Sequence, residues 1–243
     1  MANLDSKSIT LEAPNGETFS VTVRISGRAK RIGLRIDLGS DGAVLTVPRG
    51  APLKHAIRFA QENAGWLASN IAKQPKRISF EDGTVIPVLG REIRIRHCPD
   101  KRRGVWIQGD ETEDDTPALC VSGDADHLTR RVTDWLKRRA REEVSPRARS
   151  HARMLDRQVA KITIRDTTSR WGSCSSKASL SFSWRLVLAP EPVLDYVCAH
   201  EAAHLVEMNH SPAFWRLVGD LVGDWEPHRR WLKRHGAGLH RFG

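Results

Sequence analysis

Four cysteines in 243 residues, none of them in a Cys-x-x-Cys pair, exclude most of what cysteine can build. Cys98, Cys120, Cys174 and Cys198 are too scattered for a thiolate zinc ribbon, and the spacing does not suggest a disulfide framework. Isolated cysteines of this kind are ordinarily small buried hydrophobes. Long apolar runs are also missing. No stretch approaches the roughly 20 residues that cross a bilayer, and Met1–Ser6 lacks the basic region and apolar core of a signal peptide. The expectation is a cytoplasmic chain with no membrane partner.

Acidic charge is in deficit: 39 Lys and Arg stand against 29 Asp and Glu, for a net charge of +10. Such a surface attracts polyanions, so nucleic acid or nucleotide can be held non-specifically. The basic residues do not form one tail. They are dispersed in runs such as Arg24–Arg35, Lys137–Arg141 and Arg229–Arg234, a pattern typical of solvated faces.

The length allows one large domain or two modest ones with a real core. The first hundred residues alternate in the manner of strands. Ser8–Ala13 and Thr18–Ile25 flank the hairpin signal Pro14-Asn15-Gly16, and Ile32–Leu38 and Ala43–Val47 flank Ser40-Asp41-Gly42. Apolar residues at helical spacing mark one amphipathic helix over Pro52–Lys73. Thr84–Leu89 and Glu92–Arg96 read as a further pair turning at Gly90. The acidic, Thr-rich Asp110–Pro117 reads as a loop and the best boundary. We therefore expect a β-rich N-terminal region over 1–125 and a second domain over 126–243. There Leu128–Glu142 is helical, a new helix starts at Ser145-Pro146, and Val159–Ile164 and Leu180–Leu188 are strands. No internal repeat is evident. The fold class is α+β.

The chemistry is concentrated in His200-Glu201-Ala202-Ala203-His204 and in His210, six residues on. Two histidines four apart on a helix share a face, so both imidazoles can converge on one ion. Neutral imidazole suits zinc, whose catalytic sites take three protein ligands and leave a fourth position for water. Glu201, at the edge of the same face, can take that water's proton without binding the metal. Ala189-Pro190-Glu191-Pro192 is a helix start signal. Asn209 is the expected C-terminal cap, and Ser211-Pro212 reads as the N-cap and first residue of the next helix. His210 then falls in the corner between the two helices. Glu207 stands where the metzincin pattern needs glycine, and no Met follows Met208, so the expectation is a zincin of another branch.

These residues carry a family resemblance. Ile164-Arg165-Asp166, Ser169-Arg170-Trp171-Gly172-Ser173-Cys174-Ser175, Trp184-Arg185-Leu186, Asp195-Tyr196-Val197, the His200–His204 motif, Asn209-His210-Ser211 and Phe214-Trp215 together resemble the YgjP-like, SprT-related metallopeptidases. Arg28–Arg31, Val47–Gly50 and Gly83 with Gly90-Arg91 extend the resemblance over nearly the whole chain. It implies a zincin-like catalytic domain and one catalytic zinc ion, with His200, His204 and His210 as ligands and Glu201 catalytic. Ala202 departs from the larger apolar residue usual there, but alanine is a strong helix former.

The expected function is a zinc metallopeptidase acting on a protein or peptide substrate. Nucleoside triphosphate pyrophosphohydrolysis at the same metal site is the alternative. A non-catalytic, zinc-containing module that binds nucleic acid is the second. Around the site, Trp171–Cys174 reads as a tight turn beneath the helix. Arg170 and Arg185 read equally as anion-binding groups or as partners of Asp166 or Asp195. Tyr196, the only tyrosine, is either an oxyanion donor or packing. Trp215, Trp225 and Trp231 are expected to pack the closing helices. Leu180–Leu188 is the expected sheet edge above the metal, where an extended peptide could add as a strand.

Overall fold

Alternation of buried and exposed side chains runs along Thr18–Ser26, where Phe19, Val21 and Val23 point inward. That period of two is what one-sided burial of a sheet requires. The strand belongs to the first of two compact units seen in a computed structural model that describes residues 6–37, 42–73, 77–109 and 116–243. Expected turns or loops at 40–41 and 110–115 lie outside the described residues.

In the first unit, ending at Arg77, β1 (Ser6–Glu12), β2 (Thr18–Ser26), β3 (Gly33–Asp37) and β4 (Gly42–Pro48) form a sheet in the order β1-β2-β4-β3. The central β2–β4 pair is parallel and the outer pairs are antiparallel. Leu11, Val21, Leu45 and Val47 share a core with Ala56, Ala60, Ala64 and Leu67. The single helix expected over 52–73 is two helices, α1 (Leu53–Glu62) and α2 (Ala64–Ile71). The break is at Asn63, whose φ of −101° leaves the helical region and whose side-chain amide donates to the Phe59 carbonyl at 2.8 Å.

The second unit begins at Ile78. The boundary expected near 125 is therefore displaced. β5 (Val85–Val88), β6 (Arg91–Cys98), β7 (Val105–Gln108) and β8 (Ala118–Ser122) form one sheet. Its residues Ile86, Ile95, Leu119 and Val121 share a core with Val132 and Leu136 of the following helix, so the chain cannot divide there. The strand order, β5-β6-β8-β7 with a parallel central pair, repeats that of the first sheet. This topological repeat has no counterpart in the residue pattern. The β5–β6 turn is the two-residue loop Leu89-Gly90, both at positive φ (52° and 84°), as a type I′ hairpin demands.

Helix α3 (Leu128–Met154) runs for 27 residues straight through Pro146. The expected restart at Ser145-Pro146 is absent. Proline removes one hydrogen bond and costs about 3 kcal/mol within a helix. Against that, Leu128, Val132, Leu136, Ala140, Val144, Ala148 and Ala152 continue one buried stripe at four-residue spacing. The first part of the stripe packs into the core of the β5–β8 sheet. The rest packs into a second core with Phe182, Leu186, Leu194 and Phe214. Interrupting the helix would expose one half of that stripe.

The remaining strands β9 (Lys161–Arg165), β10 (Gly172–Cys174) and β11 (Ser179–Ser183) form a sheet in the order β10-β11-β9. The expected strand Leu180–Leu188 ends at Ser183, after which Trp184–Leu188 is a buried 3₁₀ turn. Ser183 caps that turn, its side chain accepting from the Arg185 N–H. β11 is the central strand, and β10 and β9 are the edges. Helices α4 (Glu191–Ala203), α5 (Pro212–Val222) and α6 (Glu226–Leu239) complete an α+β fold. Among the described residues no helix is long and apolar enough to cross a membrane.

Candidate metal centre and its cavity

Helix α4 starts where Pro190 serves as N-cap and Pro192 falls in the first turn, positions that tolerate a missing N–H. Val193, Leu194, Val197, Cys198, Ala199, Ala202 and Ala203 are buried, so the helix is apolar on nearly every side. It is tied to α3 by a polar cluster. His151 Nε2–H donates to Asp195 Oδ1 at 2.9 Å, and Arg147 pairs with Glu143 and Glu191. Asp195 is thereby committed to the α3–α4 contact.

The helix ends earlier than expected, at Ala203, with His204 as its C-cap. The turn is closed by Leu205 and Val206 N–H bonds to the Ala202 and Ala203 carbonyls. Asn209 instead accepts from the Ser211 N–H at 3.0 Å. Ser211 caps α5 as expected, its hydroxyl accepting from the Phe214 N–H. Met208, in the turn that follows α4, is 58% exposed. The early end turns the chain back on itself and brings His210 to α4.

His200, His204 and His210 offer nitrogens that all lie within 4.8 Å of one another. Nε2 of His200 and Nε2 of His210 are 3.1 Å apart. Two imidazole nitrogens about 2.05 Å from one ion span about 3.3 Å at a tetrahedral angle. His204 donates Nδ1–H to the Glu207 carbonyl at 2.9 Å, which leaves its Nε2 lone pair available. Burial, His204, His210 and the Arg229 guanidinium push His200 down to about 3. Burial also lowers His204. A convergent trio of imidazoles is the donor set that zinc takes, and these three residues could hold it. No cysteine belongs to the group.

The floor of the trio is Phe214, which is fully buried. Its ring centroid lies 4.8, 4.5 and 4.7 Å from those of His200, His204 and His210. The sequence pattern assigns Phe214 no role of its own at the site; its position four residues after His210, on the buried face of α5, is the signal that marks it. Trp215 flanks His200 and His210 at 5.7 Å and stacks on Trp225 at 4.2 Å. Both tryptophans also pack the core, as expected, and so does Trp231.

Glu201 is buried against β10. Burial raises its carboxyl to about 8, opposed by the Arg170 charge. A Cβ on Gly172 would come within 2.5 Å of Glu201 Cγ and Oε1. The edge strand therefore reaches the carboxylate only because residue 172 is glycine. Gly172–Cys174 is thus a strand at the wall of the site, not a turn beneath it. The Cys174 thiol is pushed up to about 11 by burial and by Glu201, which keeps it protonated.

A cavity of about 370 Å³ opens beside His200 and Glu201, lined also by Trp171, Tyr196, Arg170 and Arg229. A second, of about 440 Å³, adjoins it at Arg170 and is lined by hydroxyls of β9, β10 and β11. Arg170 and Arg185, read alike from sequence, have different surroundings. Arg185 is buried. Its Nε donates to Asp166 at 3.0 Å and its Nη1 to the Leu239 carbonyl at 3.2 Å, so it fastens the C-terminal segment. Arg170 makes no ion pair among the described residues and borders both cavities. Arg229 and Lys233 belong to a basic run whose pattern is that of a solvated face, yet they too line the cavity beside Glu201.

The YgjP-like metallopeptidase-domain family model matches residues 30–235. The chain belongs to the YgjP-like family. No curated protein and no solved structure matches it significantly. The YgjP-like match covers the three histidines, Glu201, β10 and most of α6. Membership at the level of a metallopeptidase domain implies a metal, ordinarily zinc, and the histidine trio is the group fitted to it.

Proposed function

We propose that this YgjP-like protein is a zinc metallopeptidase with His200, His204 and His210 as ligands and Glu201 as general base. The observation that carries the reading is the histidine trio within 4.8 Å, beside a buried carboxylate that lines an open cavity. Zinc bound there would supply Lewis acidity and lower the pKa of a water to about 7. The chain's own residues set up the rest. The Glu207 carbonyl fixes the ring of His204, and Phe214 closes the apolar side of all three rings. Glu201 accepts a proton on its carboxylate and returns it to the leaving amine. A nearby cation favours the carboxylate form that this role needs, opposing the upward push of burial.

Peptide is favoured over other substrates by β10, an edge strand of its sheet, which abuts Glu201 through Gly172. An extended chain can add to such an edge through main-chain hydrogen bonds. Tyr196 faces the same cavity, and among the described residues its hydroxyl has no hydrogen-bond partner, so it is placed to donate to a developing oxyanion. The cytoplasmic setting and the non-specific hold on nucleic acid belong to the same proposal.

The second reading, nucleoside triphosphate pyrophosphohydrolysis, is favoured by Arg170, Arg229 and Lys233 in the cavity. Incubating the zinc-loaded protein with unfolded casein and, separately, with nucleoside triphosphates decides between them. Mass spectrometry should find new peptide termini, absent with Glu201→Gln. Triphosphate hydrolysis with no new termini would replace the peptidase reading by the second. A zinc-containing nucleic-acid module would show neither reaction and be indifferent to Glu201→Gln.

A further inference from the structure

Three cations share the cavity next to Glu201. Arg170 enters from the segment before β10, while Arg229 and Lys233 enter from successive turns of α6. None of the three makes an ion pair among the described residues. Among the described residues Glu201 is the one carboxylate lining the cavity, and Glu226 stands outside it, in the neighbouring cavity that Arg229 and Lys233 also border. Unpaired cations converging on a concave site leave a positive potential for a ligand to neutralise.

Arg229 is held in place before any ligand arrives. Its guanidinium carbon sits 5.0 Å from the Trp215 ring centroid and 5.9 Å from that of Trp225, and those two rings stack on each other. A planar guanidinium fixed on aromatic faces loses little freedom when it engages a carboxylate in bidentate fashion. Trp171, Val197 and Leu232 add an apolar stretch of wall beside Tyr196 and His200. Cations combined with apolar walls suit a side chain of methylenes ending in a carboxylate. A triphosphate site ordinarily adds a helix N-terminus or a run of free backbone N–H groups. Val197, His200 and Glu201 line this cavity from the C-terminal half of α4, so the N-terminus of that helix is not offered to a phosphate.

We propose that this cavity is a side-chain subsite through which the protein selects peptides carrying Asp or Glu beside the bond to be cleaved, with Arg170, Arg229 and Lys233 as the specificity-determining residues. The proposal rests on the metallopeptidase reading for its position relative to the scissile bond. Its recognition chemistry is measurable without turnover.

The test is fluorescence anisotropy with zinc-loaded Glu201→Gln protein and labelled alanine octapeptides bearing one central Glu, Gln or Lys. The Glu peptide should bind about tenfold more tightly than the Gln peptide, one charge-assisted contact being sufficient for that factor. The Lys peptide should bind weakest. Arg229→Gln and, separately, Lys233→Gln should each erase most of the Glu preference. Lys233→Gln leaves the tryptophan stack untouched, so a folding defect in the Arg229 variant cannot mimic the result. Equal binding of Glu and Gln peptides overturns the proposal. So does a triphosphate probe that binds more tightly than the Glu peptide and loses its affinity in the same variants. Failure of the metallopeptidase reading would instead appear as Glu-selective binding by a protein that cleaves none of the peptides when Glu201 is restored.

Discussion

Gly172 and Glu201 are in such close approach that a single methyl group at residue 172 would lie 2.5 Å from the Glu201 carboxylate. The neighbour at risk is a side chain, so Gly172→Ala should displace the carboxylate while α4 stays in place. A misplacement on the order of 1 Å at a reacting group costs about 10²-fold in rate. Gly172→Ala should therefore lose about that factor in kcat against peptide, with zinc content unchanged. Steady-state kinetics with metal analysis of the same sample checks it, and a fully active variant would show that Glu201 does not need this position.

Phe214 touches all three imidazoles, and its removal should be felt in metal affinity before it is felt in folding. Phe214→Leu keeps an apolar side chain of similar reach but loses the flat ring beneath the histidines. Groups that orient metal ligands typically contribute 10- to 100-fold in affinity. Competition with a chromophoric chelator should show zinc bound about tenfold more weakly. Unaltered affinity would mean that the floor does not set the orientation of the rings.

Arg185 is 5% exposed and joins Asp166 to carbonyls of the C-terminal segment. Replacing it by Met leaves those acceptors without their donor, and breaking a buried pair from one side costs about 3–5 kcal/mol. Urea unfolding of Arg185→Met should show a loss near the lower figure, because Asp166 is about half exposed. A loss below about 1 kcal/mol would place the anchoring elsewhere.

The same network predicts acid sensitivity. Burial pushes Asp166 up, but the Arg185 hydrogen bond and charge outweigh it and hold the carboxyl below its usual range. Its contribution to stability is complete above the unfolded value near 3.9 and is lost as pH falls through the lower folded value. His240 is lowered by burial and then by Arg185, so the fold favours its neutral form. Relative to neutral pH, that group begins to destabilise as pH falls below about 6.5. Unfolding free energy measured against pH should decline first below about 6.5 and again below about 4. Asp166→Asn should remove the second decline, and an unchanged second decline would assign it to other carboxylates.

The motif residues were legible because their chemistry is local. The spacing of His200 and His204, the helix start at Pro190–Pro192 and the cap at Ser211 are all decided within a few residues. What the sequence hid was decided by distant partners. Pro146 reads as a helix start, and only the buried stripe shared with two cores keeps α3 continuous. β10 has three residues and no alternation, so its place at the sheet edge depends on pairing with β11. β7 and β8 were missed on either side of a segment that reads as a linker, and their pairing moves the boundary back to 77/78. Arg229 and Lys233 look like any basic helical face until α6 is set beside α4. Arg170 and Arg185 have no local feature to separate them.

The central claim is that His200, His204 and His210 hold a catalytic metal while Glu201 serves without binding it. The most direct measurement is the zinc content of the purified protein beside His204→Ala and Glu201→Gln. About one zinc per chain is expected in the wild type, lost in His204→Ala and kept in Glu201→Gln, as a site with three protein ligands requires. A wild-type protein that folds and takes up no zinc, or a His204→Ala variant that binds it as tightly, would contradict the account.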